Sequence, residues 1–355
     1  MNTNLSKRKV LVTGHTGFKG SWLTLWLKII NAEICGISLD PVNINGAFHE
    51  LNISSICEDI REDINDYESI LSIFIEQKPE IIFHLAAQPL VIDSYERPIE
   101  TFRTNVMGTA NILEACRQTP SVKVIIVITT DKCYENCEWI YGYRENDRLG
   151  GRDPYSASKA AVELLVNSYR ESFFKSQRDI GLATARAGNV IGGGDWAKNR
   201  ILPDCINSLL CNEPIKVRNP FAVRPWQHVL EPLGGYLNLA HKMLENINLY
   251  SEPWNFGPGY EGIKNVEALV QEVVRCWGTG SYSACGHPSE NSPYEAGLLT
   301  LDIAKARNLL DWNPKLGFSE SVKMTVDWYK AQSDGINMVD LSCKQIEDYQ
   351  NRQYL

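Results

Sequence analysis

Short, β-branched apolar runs alternate with longer amphipathic segments through the first half of the chain. The pattern predicts strands over 9–12, 34–39, 81–85, 122–128 and 182–186, and helices over 19–31, 66–77, 99–119 and 157–174. In the first helix Trp22, Leu23, Trp26, Leu27 and Ile30 fall on one face. The strands are near-continuous apolar runs without alternation, as expected when helices cover both faces of a sheet. Strand–helix repetition implies an α/β fold with a doubly wound parallel sheet and right-handed crossovers. After about residue 187 segments become shorter and richer in Pro, Gly and Trp. That shift suggests a smaller substrate-binding α/β region over 187–335, interleaved with a nucleotide-binding domain over 1–186 that regains chain from about 228–258. The stretch 336–355 reads as a polar tail without a core pattern.

Composition narrows the classes. The 355 residues are 44% hydrophobic and 22% charged, which excludes a disordered, collagen-like or coiled-coil chain. Lys and Arg total 35 against 43 Asp and Glu, a net charge of −8 with no block of like charge. Nucleic acid and anionic membrane are therefore not expected as partners. Any ligand phosphate must be met by helix N-termini and a few placed cations. No stretch approaches the length of a membrane span, and the apolar run after the basic start is too short for an export signal, so a cytoplasmic protein is expected. The ten Cys include no C-x-x-C pair, which favours free thiols and no structural metal.

The first strand runs into Gly14-His15-Thr16-Gly17-Phe18-Lys19-Gly20, a G-x-x-G-x-x-G turn opening an amphipathic helix. Glycine lets backbone approach a pyrophosphate, whose charge then sits on free N–H groups of the helix. In this position the turn points to a Rossmann-type dinucleotide site. Asp40, twenty residues after Gly20, is read as ending the second strand. A carboxylate there can accept both ribose hydroxyls and repel a 2′-phosphate, favouring NAD over NADP, although an Asp-Pro turn with Pro41 would look the same.

Tyr-x-x-x-Lys occurs at Tyr155/Lys159 and at Tyr260/Lys264. The second pair lies in a Gly/Pro-rich stretch where no helix can hold it in register. The first opens YSASKAAVELLV, rich in helix formers, where residues four apart share a face. The Lys159 cation is expected to lower the phenol toward neutrality and make Tyr155 a usable base. Thr130, Asp131 and Lys132 follow the strand KVIIVI directly, at the carboxyl edge where such sheets bind ligands.

Together these residues resemble the extended short-chain dehydrogenase/reductase family, and within it the nucleotide-sugar 4,6-dehydratases, over about residues 7–330. TGHTGFKGSWL, HLAAQPLV, TTDKCYEN, DPYSASKA, ARAGNVIGGGDW and RPWQHVLEPLGGYL carry the likeness, in that order. The resemblance implies that Gly14, His15, Thr16, Gly17, Phe18 and Gly20 bind the pyrophosphate of NAD, with Asp40 on the adenosine ribose. It places Asp59 and Ile60 beside the adenine, and Ala86, Ala87, Gln88 and Asn105 along the cofactor with Tyr155 and Lys159. Asn189, Arg200 and Arg224 would bind the substrate, the two arginines at its diphosphate. Most 4,6-dehydratases carry Glu where Lys132 stands; members acting on CDP-glucose share the Lys, so CDP-glucose is the implied substrate. Tyr155 would act as base on the 4-hydroxyl, Asp131 as acid for the departing 6-hydroxyl, Thr130 as partner of the 4-oxygen and Lys132 near C5. The family's His-Glu-Ala is here Tyr294-Glu295-Ala296, a departure that touches base preference. A homodimer or homotetramer paired through 99–119 and 157–174, and a role in deoxysugar (lipopolysaccharide) synthesis, complete the expectation. Another nucleotide-sugar 4,6-dehydratase or a 4-epimerase stays open. A non-catalytic cofactor-binding protein would be expected to have lost Tyr155 or Lys159.

Overall fold

The computed structural model describes residues 4–175, 179–284 and 296–354. Its centre is a seven-stranded sheet built from β1 (Lys9–Thr13), β2 (Glu33–Ser38), β3 (Glu58–Arg61), β4 (Ile81–His84), β5 (Val124–Ile128), β6 (Gly181–Ala187) and β7 (Pro253–Phe256). The spatial order is 7-6-5-4-1-2-3 and every pairing is parallel. The chain winds outward from β1 to β3, then crosses back to β4 on the other side of β1. This reversal opens a crevice above the carboxyl ends of β1 and β4, where open α/β sheets bind ligands.

Strands apolar on both faces explain the two cores. Val10, Val12, Phe83 and Ile126 face one layer, with α1 (Phe18–Ile29), α6 (Leu230–Glu245) and α7 (Phe318–Ser333). Leu11, Ile82, Ile125 and Val127 face the other, with α2 (Tyr67–Gln77), α3 (Gly108–Gln118) and α4 (Pro154–Tyr169). Three short two-stranded pairs among residues 190–284 carry the region beyond β6, with α5 (Ile201–Leu210) between them.

Four local readings differ from the structure. β3 was not legible, because EDIR is a short, polar edge strand. The helix expected over 99–119 is interrupted by a π-turn at Arg103–Met107, which seats Asn105 facing the crevice loop after β4. The helix expected from 157 begins at Pro154, because Asp153 caps it by accepting from Ser156 N at 2.9 Å. The supposed polar tail is a helix, α8 (Met338–Asn351), with Met338, Ile346 and Tyr349 buried.

Its anchor is a carboxyl that the apolar pattern could not reveal. Glu231 of α6 accepts from the Tyr349 hydroxyl at 2.8 Å and from the backbone N–H groups of Lys315 and Leu316 at 2.7 and 2.6 Å. Tyr349 also meets Trp26 edge to face, with ring centres 5.6 Å apart. Burial pushes Glu231 up to about 7 despite these donors. Among the described residues nine cysteines are free thiols, no His/Cys/Asp/Glu group could hold a metal, and no helix is long and apolar enough to cross a membrane.

Candidate active site

The glycine turn sits at the crevice. Gly14 has φ +76°, and a Cβ there would lie 2.7 Å from Ala86 N, so backbone from two strands meets at this point. At Gly20 a Cβ would come within 2.1 Å of Gly14 O. Gly17 is different: its added Cβ would touch only Gly14 O, at 3.4 Å, leaving its outer side open. Gly17 also caps α1 without any side-chain acceptor, so the first-turn N–H groups are left for a ligand. A dinucleotide pyrophosphate fits this cradle. Thr16 ties the turn to the end of β2, with its hydroxyl 2.7 Å from Ser38 Oγ and donating to Leu39 O at 3.1 Å. The half-buried Phe18 ring fills the space a Cβ on Gly192 would need.

At the β2–β3 side of the crevice β2 stops at Ser38, so Asp40 does not end the strand; it stands two residues beyond it, 90% exposed and 3.6 Å from Arg61 Nε. Asp59 shares a 2.7 Å bond with His15 Nε2 and accepts from Arg61 Nη2 at 2.8 Å. Ile60, half-buried on β3, pairs with Ile37. His15 is itself buried, with its pKa lowered by that burial.

Along the crevice, Ala86 N donates to Thr13 Oγ1 at 3.1 Å, and Ala86 and Ala87 are half-buried. Asn105 accepts from Gln88 N at 2.8 Å and donates to Gln88 O at 3.2 Å and to Ser158 Oγ at 2.8 Å. Its amide thus fastens the β4 loop to α4. The Gln88 side chain turns back on its own loop, donating to Leu90 O and Thr101 Oγ1.

Tyr155 and Lys159 lie on the first two turns of α4, both buried. Lys159 Nζ donates to Ile128 O at 3.3 Å, and burial pulls its pKa down to about 8. Tyr155 is pushed up to about 12 by burial, with Thr130 working in the opposite direction. This corrects the expectation of a phenol near neutrality: desolvation of the phenolate outweighs the hydrogen bond from Thr130 and the charge of Arg200. The other pair is no site, since Tyr260 is 91% exposed in a single turn and Lys264 is on a short strand.

Asp131 opens a 3₁₀ turn directly after β5, capped by Thr130, whose Oγ1 accepts from Lys132 N at 3.3 Å. Thr130 donates to Asp131 Oδ1 at 3.0 Å, while Oδ2 is buried with no hydrogen-bond partner among the described residues. Burial raises the Asp131 pKa against the pull of Lys132, Thr130, Arg224 and Lys19. Oδ2 lies where a Cβ on Gly188 would be, 2.3 Å away, so the carboxyl depends on that glycine. Lys132 is half-buried and lines a cleft with Tyr134, Asn136, Arg152 and Ser156.

Arg200 precedes α5 and pairs with Asp195 at 2.7 Å; the Tyr329 hydroxyl fixes Asp195 by donating to its carbonyl at 2.6 Å. Arg224 is buried on the strand Val223–Pro225 and donates to Val223 O at 2.9 Å. Arg200 acts electrostatically on Tyr155, and Arg224 on Asp131. Asn189 is half-buried just after β6, its carbonyl accepting from Gln227 N at 3.2 Å. Tyr294 and Glu295 lie outside the described residues. Two features escaped sequence reasoning. Glu163, one turn past Lys159, forms a buried pair with Arg186 at 2.7 Å and accepts from Thr184 at 2.8 Å. Lys19, an unremarked position of the glycine turn, shares the electrostatic surroundings of Asp131, Lys159 and Arg200.

A dinucleotide cradle opening onto a buried tyrosine, lysine and carboxyl is the arrangement of the extended short-chain dehydrogenase/reductases. Within that class the chain belongs to the GDP-mannose 4,6 dehydratase family, whose model matches residues 11–325. It is 47% identical over 347 residues to a CDP-glucose 4,6-dehydratase of Salmonella typhimurium, covering 96% of both chains. Its fold resembles an epimerase from Methanothermobacter thermautotrophicus (TM-score 0.80, 22% identity, 93% and 94% of the two chains). It also resembles a dTDP-glucose 4,6-dehydratase from Streptomyces venezuelae solved with NAD (TM-score 0.77, 20% identity, 92% and 98%).

Proposed function

We propose that this protein dehydrates CDP-D-glucose to CDP-4-keto-6-deoxy-D-glucose with NAD as resident cofactor. The observation that carries the reading is Asp131: a buried carboxyl with raised pKa and a free Oδ2, placed beside a Tyr/Lys pair. The 47% identity with the Salmonella enzyme supports the substrate. The turn from Gly14 to Gly20 would hold the NAD pyrophosphate, and Asp40 the adenosine ribose. When bound, NAD supplies a reversible acceptor for the hydride of C4, which returns to C6.

The protein's own groups move the protons. Tyr155 removes the proton of the 4-hydroxyl, with Thr130 beside the same oxygen and the Lys159 ammonium stabilising the phenolate. The resulting 4-ketone acidifies C5. Asp131, whose burial favours the protonated form, delivers its proton to the 6-hydroxyl, which leaves as water when the C5 proton is lost. Lys132 serves the C5 side, stabilising the enolate or carrying that proton. Arg200 and Arg224 bind the diphosphate, and Asn189 completes the substrate region of 187–335. A 4-epimerase would use Tyr155 and Lys159 but would have no use for an acid at C6, so Asp131 favours dehydration.

Subunit pairing through 98–118 and α4 is supported by the exposure of Ile99 (81%), Met107 (56%) and Leu164 (63%) on those segments. A cytoplasmic homodimer or homotetramer serving deoxysugar synthesis completes the proposal. The test is isotopic. CDP-glucose deuterated at C4 should yield product that has lost water and carries the label at C6 of the same molecule. Label released to water, or retained at C4, would overturn dehydration.

A further inference from the structure

β1 and β4 are neighbours where the strand order reverses, and their last residues, Thr13 and His84, pair directly. Both side chains are buried. Ala86, whose backbone packs against Gly14, donates its N–H to Thr13 Oγ1 at 3.1 Å. Thr13 Oγ1 lies 2.7 Å from His84 Nδ1, and His84 Nε2 lies 2.9 Å from Thr109 Oγ1 on α3. Thr109 donates in turn to Asn105 O at 2.6 Å. The Asn105 amide donates to Ser158 Oγ at 2.8 Å, and Ser158 donates to Tyr155 O at 2.7 Å. A continuous buried chain therefore runs from the cofactor cradle to the backbone of the proposed base.

Counting hydrogens fixes the direction of its central links. A carbonyl only accepts, so the single hydroxyl hydrogen of Thr109 is spent on Asn105 O. Thr109 Oγ1 can then only accept from the imidazole, which puts a proton on His84 Nε2. With Nε2 bare, two acceptors would face each other 2.9 Å apart. No carboxylate pairs with His84 among the described residues, and the charge acting on it is the like charge of Lys159. Burial lowers its pKa to about 3, so the ring is neutral and Nδ1 is bare. Thr13 must therefore give its hydrogen to Nδ1 while its oxygen receives the Ala86 N–H.

We propose that His84, held as the Nε2–H imidazole, is a positioning residue that keeps Tyr155 in register with the cofactor cradle. Both ring nitrogens are engaged, so His84 has no part as acid or base. It acts by fixing the distance between the ends of β1 and β4 and the π-turn that carries Asn105. This inference rests on the reading of Tyr155 as base and NAD as hydride acceptor, yet its first test is independent of that reading.

Nitrogen NMR of the histidine-labelled full chain reads the tautomer, with the His84→Asn spectrum identifying the signal. The ring should show a protonated Nε2 and a bare Nδ1, unchanged between about pH 6 and pH 8. A proton on Nδ1, or a ring that titrates in that range, would overturn the proposal. Kinetics read the positioning. His84→Asn can still accept from Thr13 but is too short to reach Thr109, and Thr109→Val cuts the same link from its other side. Each should lower kcat about 10- to 100-fold, the cost of a misplaced group, with the KM for CDP-glucose unchanged. The isotope effect of C4 deuterium on turnover should rise, because C4 oxidation is the step that needs Tyr155 aligned on the cofactor. The double variant should be no slower than the slower single variant, since both cut one link. A lower melting temperature with wild-type kcat and isotope effect would make the chain structural only and overturn the proposal. If wild type acts on another nucleotide sugar, the CDP-glucose reading fails, and the isotope effect is measured on that substrate instead.

Discussion

At the adenosine end Asp40 stands 90% exposed with Arg61 3.6 Å away, and Asp59 divides its oxygens between His15 and Arg61. After β5 and on α4, Asp131, Tyr155 and Lys159 are all buried, and one oxygen of Asp131 has no partner among the described residues. Both ends use carboxylates and cations. In the exposed Asp40–Arg61 pair the charge is screened and contributes little, whereas the Asp59–His15 pair beside it is largely buried. In the buried set every group is displaced from its ordinary pKa, Asp131 and Lys159 toward neutrality and Tyr155 away from it. Burial, more than residue type, separates Asp40 from Asp131.

The comparison breaks most visibly at the base. Tyr155→Phe should lower turnover by about 10⁴-fold, the upper range for a general base, and leave no 4-ketone for mass spectrometry to trap. Asp131→Asn should cost about 10²- to 10³-fold while acting one step later. It should still form the ketone and exchange the C5 hydrogen with deuterated solvent, but stall before water is lost. Normal dehydration by Asp131→Asn would move the acid to another group. A subtler lesion enters through Gly188, where an added Cβ would stand 2.3 Å from Asp131 Oδ2 and 3.0 Å from Pro225 Cγ. Gly188→Ala should displace the carboxyl and slow water loss about tenfold, a modest case of the cost of misplacement, with ketone formation spared. Equal slowing of both steps would show that the change disturbs more than Asp131.

The sheet was legible because its inner strands are buried on both faces, so 10–12 and Val124–Ile128 are short β-branched apolar runs, the second followed by Thr129 and Thr130 and the first by a glycine turn. Glu58–Arg61 and α8 were not, for a common reason. An edge strand needs little apolar surface, and α8 buries Ser342 and Gln345 along with Ile346, blurring its stripe. In the site, the residues at strand ends were found by position and motif. Lys19 was hidden as a position that the G-x-x-G-x-x-G pattern leaves unspecified. Gly188 gave no signal at all, since its meaning is the space it leaves for Asp131. The phenol of Tyr155 was misjudged because spacing reports a neighbour and says nothing of burial.

The smallest effect is expected at Asp40, and it tests the exposed half of the comparison. A carboxylate 90% exposed and facing Arg61 is well screened, so its contact with a ribose hydroxyl cannot contribute much. Removing its charge also frees Arg61, a fork suited to a 2′-phosphate, from one of its two acidic neighbours. Asp40→Asn should therefore weaken NAD binding only about twofold to fivefold and strengthen NADP binding by a similar factor. Turnover at saturating NAD should be unchanged, because nothing at the reaction end touches this side chain. Titration of both cofactors into wild type and variant measures the ratio directly. No shift in either affinity would remove Asp40 from the ribose site. A shift of a hundredfold or more would mean that the bound cofactor buries Asp40, giving the adenosine end the same desolvated electrostatics as the reaction end and erasing the distinction between them.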